Sequence, residues 1–192
     1  MKKVIILGAN GNIAKEVTDM LLKNEGISLT LFLRNSHRLR NDHLAHVRIL
    51  EGDVLDYLKL EDALAEQEIV YANLSGDLES MAKNILKAME ANQVKKLIFI
   101  CSIGMYDLPL RPVLRPYRLA ADLIEASNLE YTILRPTWFT NVNEVDFETT
   151  RKGEPEKGSV ISKKSLAACI VRIIDSPESY KRQNLGVNKP KS

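Results

Sequence analysis

Two glycines near the start of the chain are spaced so that a phosphate group can approach the backbone. Four apolar residues, Val4 to Leu7, run into Gly8, and Gly11 follows ahead of an apolar-periodic stretch that begins at Ile13. This pattern predicts a buried strand, a tight turn and a helix. Gly8 permits the sharp turn. Gly11 lacks the Cβ that would keep a diphosphate away from the free N–H groups of the first helical turn.

The third position of this motif is Ala14, so the spacing is Gly-x-x-Gly-x-x-Ala and not Gly-x-Gly-x-x-Gly. Alanine is small enough for the helix to lie close against the strand. A strand before the glycines and a helix after them are the context that separates a dinucleotide-binding turn from a plain connection. The sequence therefore favours a phosphate-binding turn.

The residues after the second predicted strand indicate which dinucleotide would bind. NAD-preferring sites usually have an acidic residue there, but this chain has Arg34, with no acid between Glu25 and Asp42. Arg34, Asn35 and Arg38 can surround a 2′-phosphate, because guanidinium groups form charge-assisted bonds to phosphate oxygens. The pattern favours NADP(H) over NAD(H). The alternative is that these side chains are solvated loop groups.

Asp53 and Val54 follow the third predicted strand. The Asp53 carboxylate can accept a hydrogen bond from the adenine amino group while Val54 lies against the ring. Alternatively, Asp53 is a turn or helix-capping residue. Three histidines lie in the segment before it, His37, His43 and His46, but they have no acidic or thiol partner at useful spacing, so no metal site is predicted.

Length and composition limit the other functions. The chain has 192 residues, 45% of them apolar, and a formal net charge of +2 with both signs interspersed, so neither a nucleic acid nor a membrane is expected as partner. Cys101 and Cys169 lack metal-ligand spacing and are expected to be reduced, buried thiols. No run approaches the ~20 apolar residues of a membrane span. The first strand leaves no room for a signal peptide, so a cytoplasmic location is expected.

Strands and helices alternate six times, which predicts an α/β fold with a doubly wound parallel sheet. The expected strand order is 3-2-1-4-5-6, with ligands at the carboxyl ends of the strands. We expect a single domain over residues 1–192, in which 137–192 form a small C-terminal subregion on the substrate side. That subregion should hold a charged loop over 151–159, a helix capped by Ser162 and a short seventh strand at 185–187. The six predicted strands are 3–7, 28–33, 46–50, 68–73, 96–101 and 130–134. The helices begin near 12, 56, 78 and 116; the first ends near Asn24, and Asp56 can cap the second.

Five segments, in this order and spacing, resemble the atypical short-chain dehydrogenase/reductases. The resemblance extends to the NmrA-like NAD(P)-binding proteins and their relatives among flavin and quinone reductases. The segments are Gly8-Ala-Asn-Gly-Asn-Ile-Ala14, Leu33-Arg-Asn35, Gly52-Asp-Val54, Ile100-Cys-Ser-Ile-Gly104 and Leu134-Arg-Pro-Thr137.

This resemblance implies a role for individual residues along a bound dinucleotide. Arg34 and Arg38 would bind the 2′-phosphate, and Pro136 to Trp138 would approach the nicotinamide carboxamide. The pyrophosphate would lie on Gly8, Asn10, Gly11, Asn12 and Ile13, and the ribose on the nicotinamide side would lie along Asn73, Leu74, Ser75 and Gly76.

The catalytic residues of the wider superfamily are only partly present. Ser102 stands at the family's serine position and is the catalytic candidate. A Tyr-x-x-x-Lys pair, which would donate the proton in carbonyl reduction, does not follow, because no tyrosine has a lysine four residues later. Arg118 stands at the lysine position, where it can still bind a cofactor hydroxyl or phosphate, and Leu114 stands at the tyrosine position. Tyr106 and Tyr117 remain as possible substitute acids.

Two classes of function are compatible with the missing pair. The first is hydride transfer from NADPH to a small planar acceptor of flavin or quinone type, for which water can supply the proton. Trp138 and Phe139 would then form an aromatic wall, unless they are core residues. Arg111 and Arg115, together with Arg118, would attract an anionic acceptor, unless they are solvated.

The second class is a non-catalytic NADP(H)-responsive regulatory protein, as some NmrA-like relatives are. A sugar-nucleotide epimerase is excluded, because it also requires the Tyr-x-x-x-Lys pair and a larger C-terminal domain.

Overall fold

The central strand of the protein is its first apolar run. The computed structural model describes residues 1–39, 44 and 46–191. Strand β1 (Lys2–Leu7) lies between β2 (Ile27–Leu33) and β4 (Ile69–Ala72), and all three are parallel. The last four side chains of β1, residues 4–7, are fully buried. A strand covered on both faces must be apolar along its length, which explains why this run lies at the centre.

Over residues 1–39, 44 and 46–191 the main sheet has eight strands, in the order β3-β2-β1-β4-β5-β6-β10-β8. The predicted order 3-2-1-4-5-6 is confirmed, and the short seventh strand is confirmed as β10, which is parallel to β6. β8 pairs with β10 in the antiparallel direction. The remaining strands are β3 (Arg48–Glu51), β5 (Lys96–Ile100), β6 (Glu130–Pro136), β7 (Trp138–Thr140), β8 (Glu148–Arg151), β9 (Val160–Ser162) and β10 (Gln183–Asn188).

Helices cover both faces of the sheet, and each face has its own hydrophobic cluster. Helices α1 and α5 pack on one face, and α2, α3 and α4 pack on the other. Cys101 and Cys169 are free and buried, one in each cluster. The helices are α1 (Asn12–Leu21), α2 (Tyr57–Leu64), α3 (Leu78–Ala91), α4 (Arg115–Glu125) and α5 (Lys163–Asp175). No helix in the described part of the chain is both long and apolar enough to cross a membrane.

Side-chain caps fix where three of these helices begin. Asp56 accepts a hydrogen bond from Lys59 N at the start of α2, and Ser162 accepts one from Ser165 N at the start of α5. Both caps were predicted. Asp77 caps α3 in the same way. Hydrogen bonds from the Ser80 side chain and backbone lower the pKa of Asp77 and keep it charged.

Two parts of the predicted secondary structure are wrong. The first helix ends at Leu21, not near Asn24, because the chain turns at residues 22–26 before β2. The region after residue 137 holds three strands that the sequence did not predict. β7 and β9 form a small parallel sheet in which Trp138 pairs with Val160, and β8 lengthens the main sheet. These strands have three or four residues each and pair with distant residues, so they leave little local signal.

A charged residue lies inside this C-terminal region. Arg135, on β6, is 1% exposed. Its Nε donates to Glu156 Oε1 at 2.9 Å, and its Nη1 donates to Asn184 Oδ1. A Cβ at Gly186 would collide with the Glu156 carboxylate, so this glycine makes room for the ion pair. The pair connects the loop over 152–159 to the sheet.

We expect Glu156→Ala to lower the free energy of unfolding by about 2 kcal/mol, because the buried Arg135 guanidinium loses the partly exposed carboxylate that compensates its charge. Urea denaturation measures the change. The control is Glu66→Ala, which breaks the exposed pair between Lys3 Nζ and Glu66 Oε2 at 2.9 Å and should change stability little. Equal stability of the two variants would show that Asn184 and solvent suffice for Arg135.

Candidate functional site

The turn between β1 and α1 depends on Gly8 for two reasons. Gly8 has φ +81°, a conformation that side chains with a Cβ rarely adopt. A Cβ there would also collide with the backbone carbonyl oxygen of Asn73, at the end of β4. The Gly8 N–H donates to Phe32 O at 2.9 Å. The turn is therefore fixed between the carboxyl ends of β2 and β4.

Gly11 also lies against Asn73, but against its side chain and not its backbone. Its backbone is extended, and its N–H donates to Gly8 O at 3.0 Å. A Cβ at Gly11 would collide with the side-chain amide of Asn73. The sequence predicted only that Gly11 gives a diphosphate access to the backbone. The structure adds that Gly11 also makes room for the Asn73 amide.

Helix α1 begins directly after this turn, and no side chain of a described residue caps its first N–H groups. In this it differs from α2, α3 and α5, each of which has an Asp or Ser cap. Asn12 and Ile13 occupy the first two positions of α1. Its amino end therefore offers N–H groups and the positive end of the helix dipole to an anion.

A cavity of about 250 Å³ lies over the turn at the carboxyl ends of the central strands. This is where doubly wound folds bind ligands. The predicted residues that line it are Gly8, Asn10, Gly11, Arg34, Asn35, Asp53, Val54, Asn73, Leu74 and Ser75. Phe32, Leu33, Gly52 and Met81 also line it and were not predicted. The fold thus brings together residues from four separate connections.

Several other predicted site residues lie outside this lining. Asn12, Ile13, Gly76, Ser102, Arg118 and Pro136 are not part of it. Ile13 is buried against the α1 face of the sheet, and Gly76 has φ +106° in the loop before α3. Arg38 ends a short 3₁₀ turn, and its side chain lies outside the described residues. The cofactor roles of these residues stay predictions.

Asn10 connects the glycine turn to the end of β2. Its Nδ2 donates to Asn35 O at 3.1 Å. Its Oδ1 is buried and accepts no hydrogen bond from any described residue. A buried acceptor without a donor is costly, so this oxygen at the cavity fits a ligand that carries a hydroxyl group, such as a ribose.

Asp53 takes part in a turn and also lines the cavity. Its Oδ1 accepts a hydrogen bond from Leu55 N at 3.0 Å, which confirms the turn interpretation. The adenine interpretation is compatible with it, because a carboxylate has a second oxygen to offer. Val54 is 4% exposed and packs in the core below.

Asn84, on α3, supports this loop and was missed by sequence reasoning. Its Nδ2 donates to Val54 O at 3.0 Å and to Leu55 O at 3.1 Å. The two carbonyls are 30 and 29 residues away along the chain. No local pattern could have indicated this contact.

An acidic side chain from the neighbouring strand β3 contacts the segment after β2. Arg34 and Asn35 are exposed at the cavity, and Asn35 Oδ1 accepts from His37 N at 3.0 Å. Ser36 N donates to Glu51 Oε1, on β3, at 2.6 Å. Hydrogen bonds from the Ser36 side chain and backbone lower the pKa of Glu51, so its carboxylate is charged.

The described residues contain no cluster of three or more histidine, cysteine or acidic side chains that could hold a metal ion. Of the three histidines considered from the sequence, His43 lies outside the described residues.

The residues at the superfamily's catalytic positions make other contacts in this structure. Ser102 Oγ donates to Ile103 O at 3.2 Å. Leu114 is buried beneath Gly104. The Nε of Arg118 donates to both carboxylate oxygens of Asp122, at 2.8 and 2.9 Å. In these positions none of the three side chains can donate a proton as the tyrosine of a Tyr-x-x-x-Lys pair does.

Tyr106 is a half-buried tyrosine beside α4. Its ring lies 4.9 Å from the Arg118 guanidinium and 4.5 Å from Lys152 Nζ. Its hydroxyl accepts from Asn184 Nδ2 at 2.8 Å. Burial raises the pKa of Tyr106 and Glu125 adds to the effect, so the phenol is neutral. It is not among the residues that line the cavity.

The aromatic residues after β6 lie on the surface. Trp138 is 71% and Phe139 is 48% exposed. The alternative that they are core residues is therefore wrong. Val142, in the loop that follows, is exposed as well.

Comparisons with known proteins identify the family of this chain. A family model described as NAD(P)H-binding matches residues 8–177. A Rossmann-fold NAD(P)-binding family protein from Shigella flexneri is 45% identical, with a TM-score of 0.93 over 100% of this chain and 95% of that chain. A wide-type short-chain dehydrogenase/reductase from Veillonella parvula, solved in complex with NADP, is 27% identical, with a TM-score of 0.91 over 99% of this chain and 95% of that chain.

An anaerobilin reductase from Escherichia coli O157:H7 shares the fold alone, at 17% identity and a TM-score of 0.84 over 100% of this chain and 98% of that chain. The chain belongs to the NAD(P)H-binding family, among the atypical short-chain dehydrogenase/reductases.

The two glycines should respond differently to alanine. Gly8→Ala should lower Tm by roughly 4–10 °C, because it combines left-handed strain with a backbone collision. Gly11→Ala should leave Tm within about 2 °C, because the Asn73 amide can rotate away, but it should weaken NADP⁺ binding at least tenfold by our estimate. Thermal unfolding and calorimetry give the two readouts. Unchanged NADP⁺ affinity in Gly11→Ala would contradict the phosphate-binding role of the turn.

Proposed function

We propose that the protein is an NADPH-dependent oxidoreductase that reduces a small planar acceptor of flavin or quinone type. The observation that carries the proposal is the cavity over the uncapped start of α1, where Gly8 and Gly11 leave no Cβ between the backbone and a ligand. The Veillonella parvula relative, which was solved with NADP, supports the choice of cofactor.

The residues of the cavity fit a dinucleotide along its length. The first N–H groups of α1 would bind the diphosphate. Asn10 Oδ1, which has no described donor, would accept a hydrogen bond from a ribose hydroxyl. Asp53 would accept one from the adenine amino group, and Arg34 would bind the 2′-phosphate. Asn73, Leu74 and Ser75 would lie along the ribose on the nicotinamide side.

NADPH, when bound, supplies a hydride to the acceptor. The chain would place the acceptor against Trp138 and Phe139, whose exposed rings offer a flat apolar surface directly after β6. Ser102 and Pro136 come from the adjacent strand ends and would orient the reacting groups. Water would supply the proton, which a flavin or quinone accepts without a tyrosine acid. Ordinary carbonyl reduction does need such an acid.

A regulatory protein that binds NADP(H) without turnover is the second candidate, of NmrA-like type. The observation in its favour is that Ser102 Oγ bonds within its own turn while Leu114 is buried at the tyrosine position. The two candidates share the cavity and differ only in whether an acceptor reacts.

NADPH oxidation with FMN, FAD, quinones and simple carbonyls separates the two candidates. We expect turnover with a flavin or quinone and none with the carbonyls. Trp138→Ala should raise KM for the acceptor several-fold and change NADPH affinity much less. Leu58→Ala, which removes another side chain that is 71% exposed, is the matched control. Tight NADP(H) binding without any turnover would instead support the regulatory protein.

Cofactor preference is tested by Arg34→Ala. We expect NADPH to bind about tenfold more weakly, and NADH to change little, because only NADPH carries the phosphate that a guanidinium would bind. Arg48→Ala, on the exposed edge strand β3, removes the same charge and should affect neither nucleotide. Equal losses for NADPH and NADH would show that Arg34 does not recognise the 2′-phosphate.

A further inference from the structure

The carboxylate of Glu51 lies beside the segment proposed to bind the 2′-phosphate. Glu51 ends β3, where its backbone pairs with Leu33 of β2. Its Oε1 accepts the Ser36 N–H at 2.6 Å. Arg34 and Asn35, which line the cavity, stand between Leu33 and Ser36 in the chain. A negative charge is therefore held within two residues of the proposed phosphate-binding arginine.

This position gives Glu51 two effects on an incoming phosphate. The carboxylate occupies an N–H group that a phosphate oxygen could otherwise use as donor. It would also repel the phosphate, because two like charges near each other raise the free energy of binding even where water screens them. A ribose with a free 2′-hydroxyl meets neither obstacle.

We propose that Glu51 is a specificity-determining residue that limits the preference of this protein for NADP(H) over NAD(H). The proposal rests on the proposed function, in which the cavity binds a dinucleotide with its 2′-phosphate at Arg34. Glu51 contacts the segment after β2 from the neighbouring strand β3, so a sequence motif that covers only the end of β2 does not detect it. The arginine attracts the 2′-phosphate, and Glu51 partly cancels that attraction.

The test is calorimetry of Glu51→Gln with NADP⁺ and NAD⁺. Glutamine keeps an oxygen that can accept the Ser36 N–H and removes only the charge. We expect NADP⁺ to bind about three- to tenfold more tightly than to the unmodified protein, with NAD⁺ affinity changed less than about twofold. The pair 2′,5′-ADP and 5′-AMP, which differ only in the 2′-phosphate, should show the same selectivity.

Glu90→Gln is the matched control. Glu90 is exposed near the far end of α3, and its replacement removes the same charge from outside the cavity. It should change neither affinity. An equal gain in both variants would overturn the proposal, because net charge alone would explain it. Weaker NADP⁺ binding in Glu51→Gln would also overturn it, because Glu51 would then support the phosphate site.

Failure of the proposed function has a different signature. If the unmodified protein binds neither NADP⁺ nor NAD⁺, the dinucleotide site itself is wrong, and the inference about Glu51 falls with it. If both nucleotides bind and their affinity ratio does not respond to Glu51→Gln, only the inference fails.

Discussion

The close approach of the β4 end to the glycine turn is the constraint on which the site depends. Asn73 lies close to the turn at two points: its backbone carbonyl is next to Gly8 and its side-chain amide is next to Gly11. The backbone contact leaves no room for a Cβ at Gly8, and the amide contact leaves room for one at Gly11 only if the Asn73 amide rotates away. Because β1 and β4 are adjacent, a wider turn would push Asn73 and the loop after it away from the cavity. The compact turn also sets the uncapped start of α1 directly after two glycines that line the cavity, so its N–H groups are available to an anion.

The rest of the cavity wall is held by contacts between separate parts of the chain. Asn10 joins the glycine turn to the backbone after β2, Glu51 joins that segment to β3, and Asn84 holds the loop that carries Asp53. Each is a polar side chain bonded to a backbone atom, so the loops are fixed without a large apolar core of their own. A site built in this way is positioned by the sheet and its helices.

Sequence reasoning succeeded where the signal was local. The apolar run of β1, the caps at Asp56 and Ser162 and the alternation of strands and helices each involve neighbouring residues, and the structure confirms them. It failed for β7, β8 and β9, because a three- or four-residue strand is defined by its partner and not by its own composition. It also could not decide whether Trp138 forms a wall of the acceptor site or belongs to the core. An aromatic residue is found in both kinds of place, and only its exposed fraction in the structure distinguishes them.

The sequence by itself determined the fold class and the glycine turn, because glycine spacing and hydrophobic periodicity are properties of consecutive residues. The family, and several of the residues around the cavity, followed from the resemblance of five segments to known proteins. Only the tertiary structure decided what surrounds those residues. It showed Asn73 over both glycines, the carboxylate of Glu51 beside Ser36 and Asn84 beneath the Asp53 loop. The physical reason is that these contacts join strands and helices whose separation along the chain is unrelated to their distance in space, so no periodicity or motif within one segment records them.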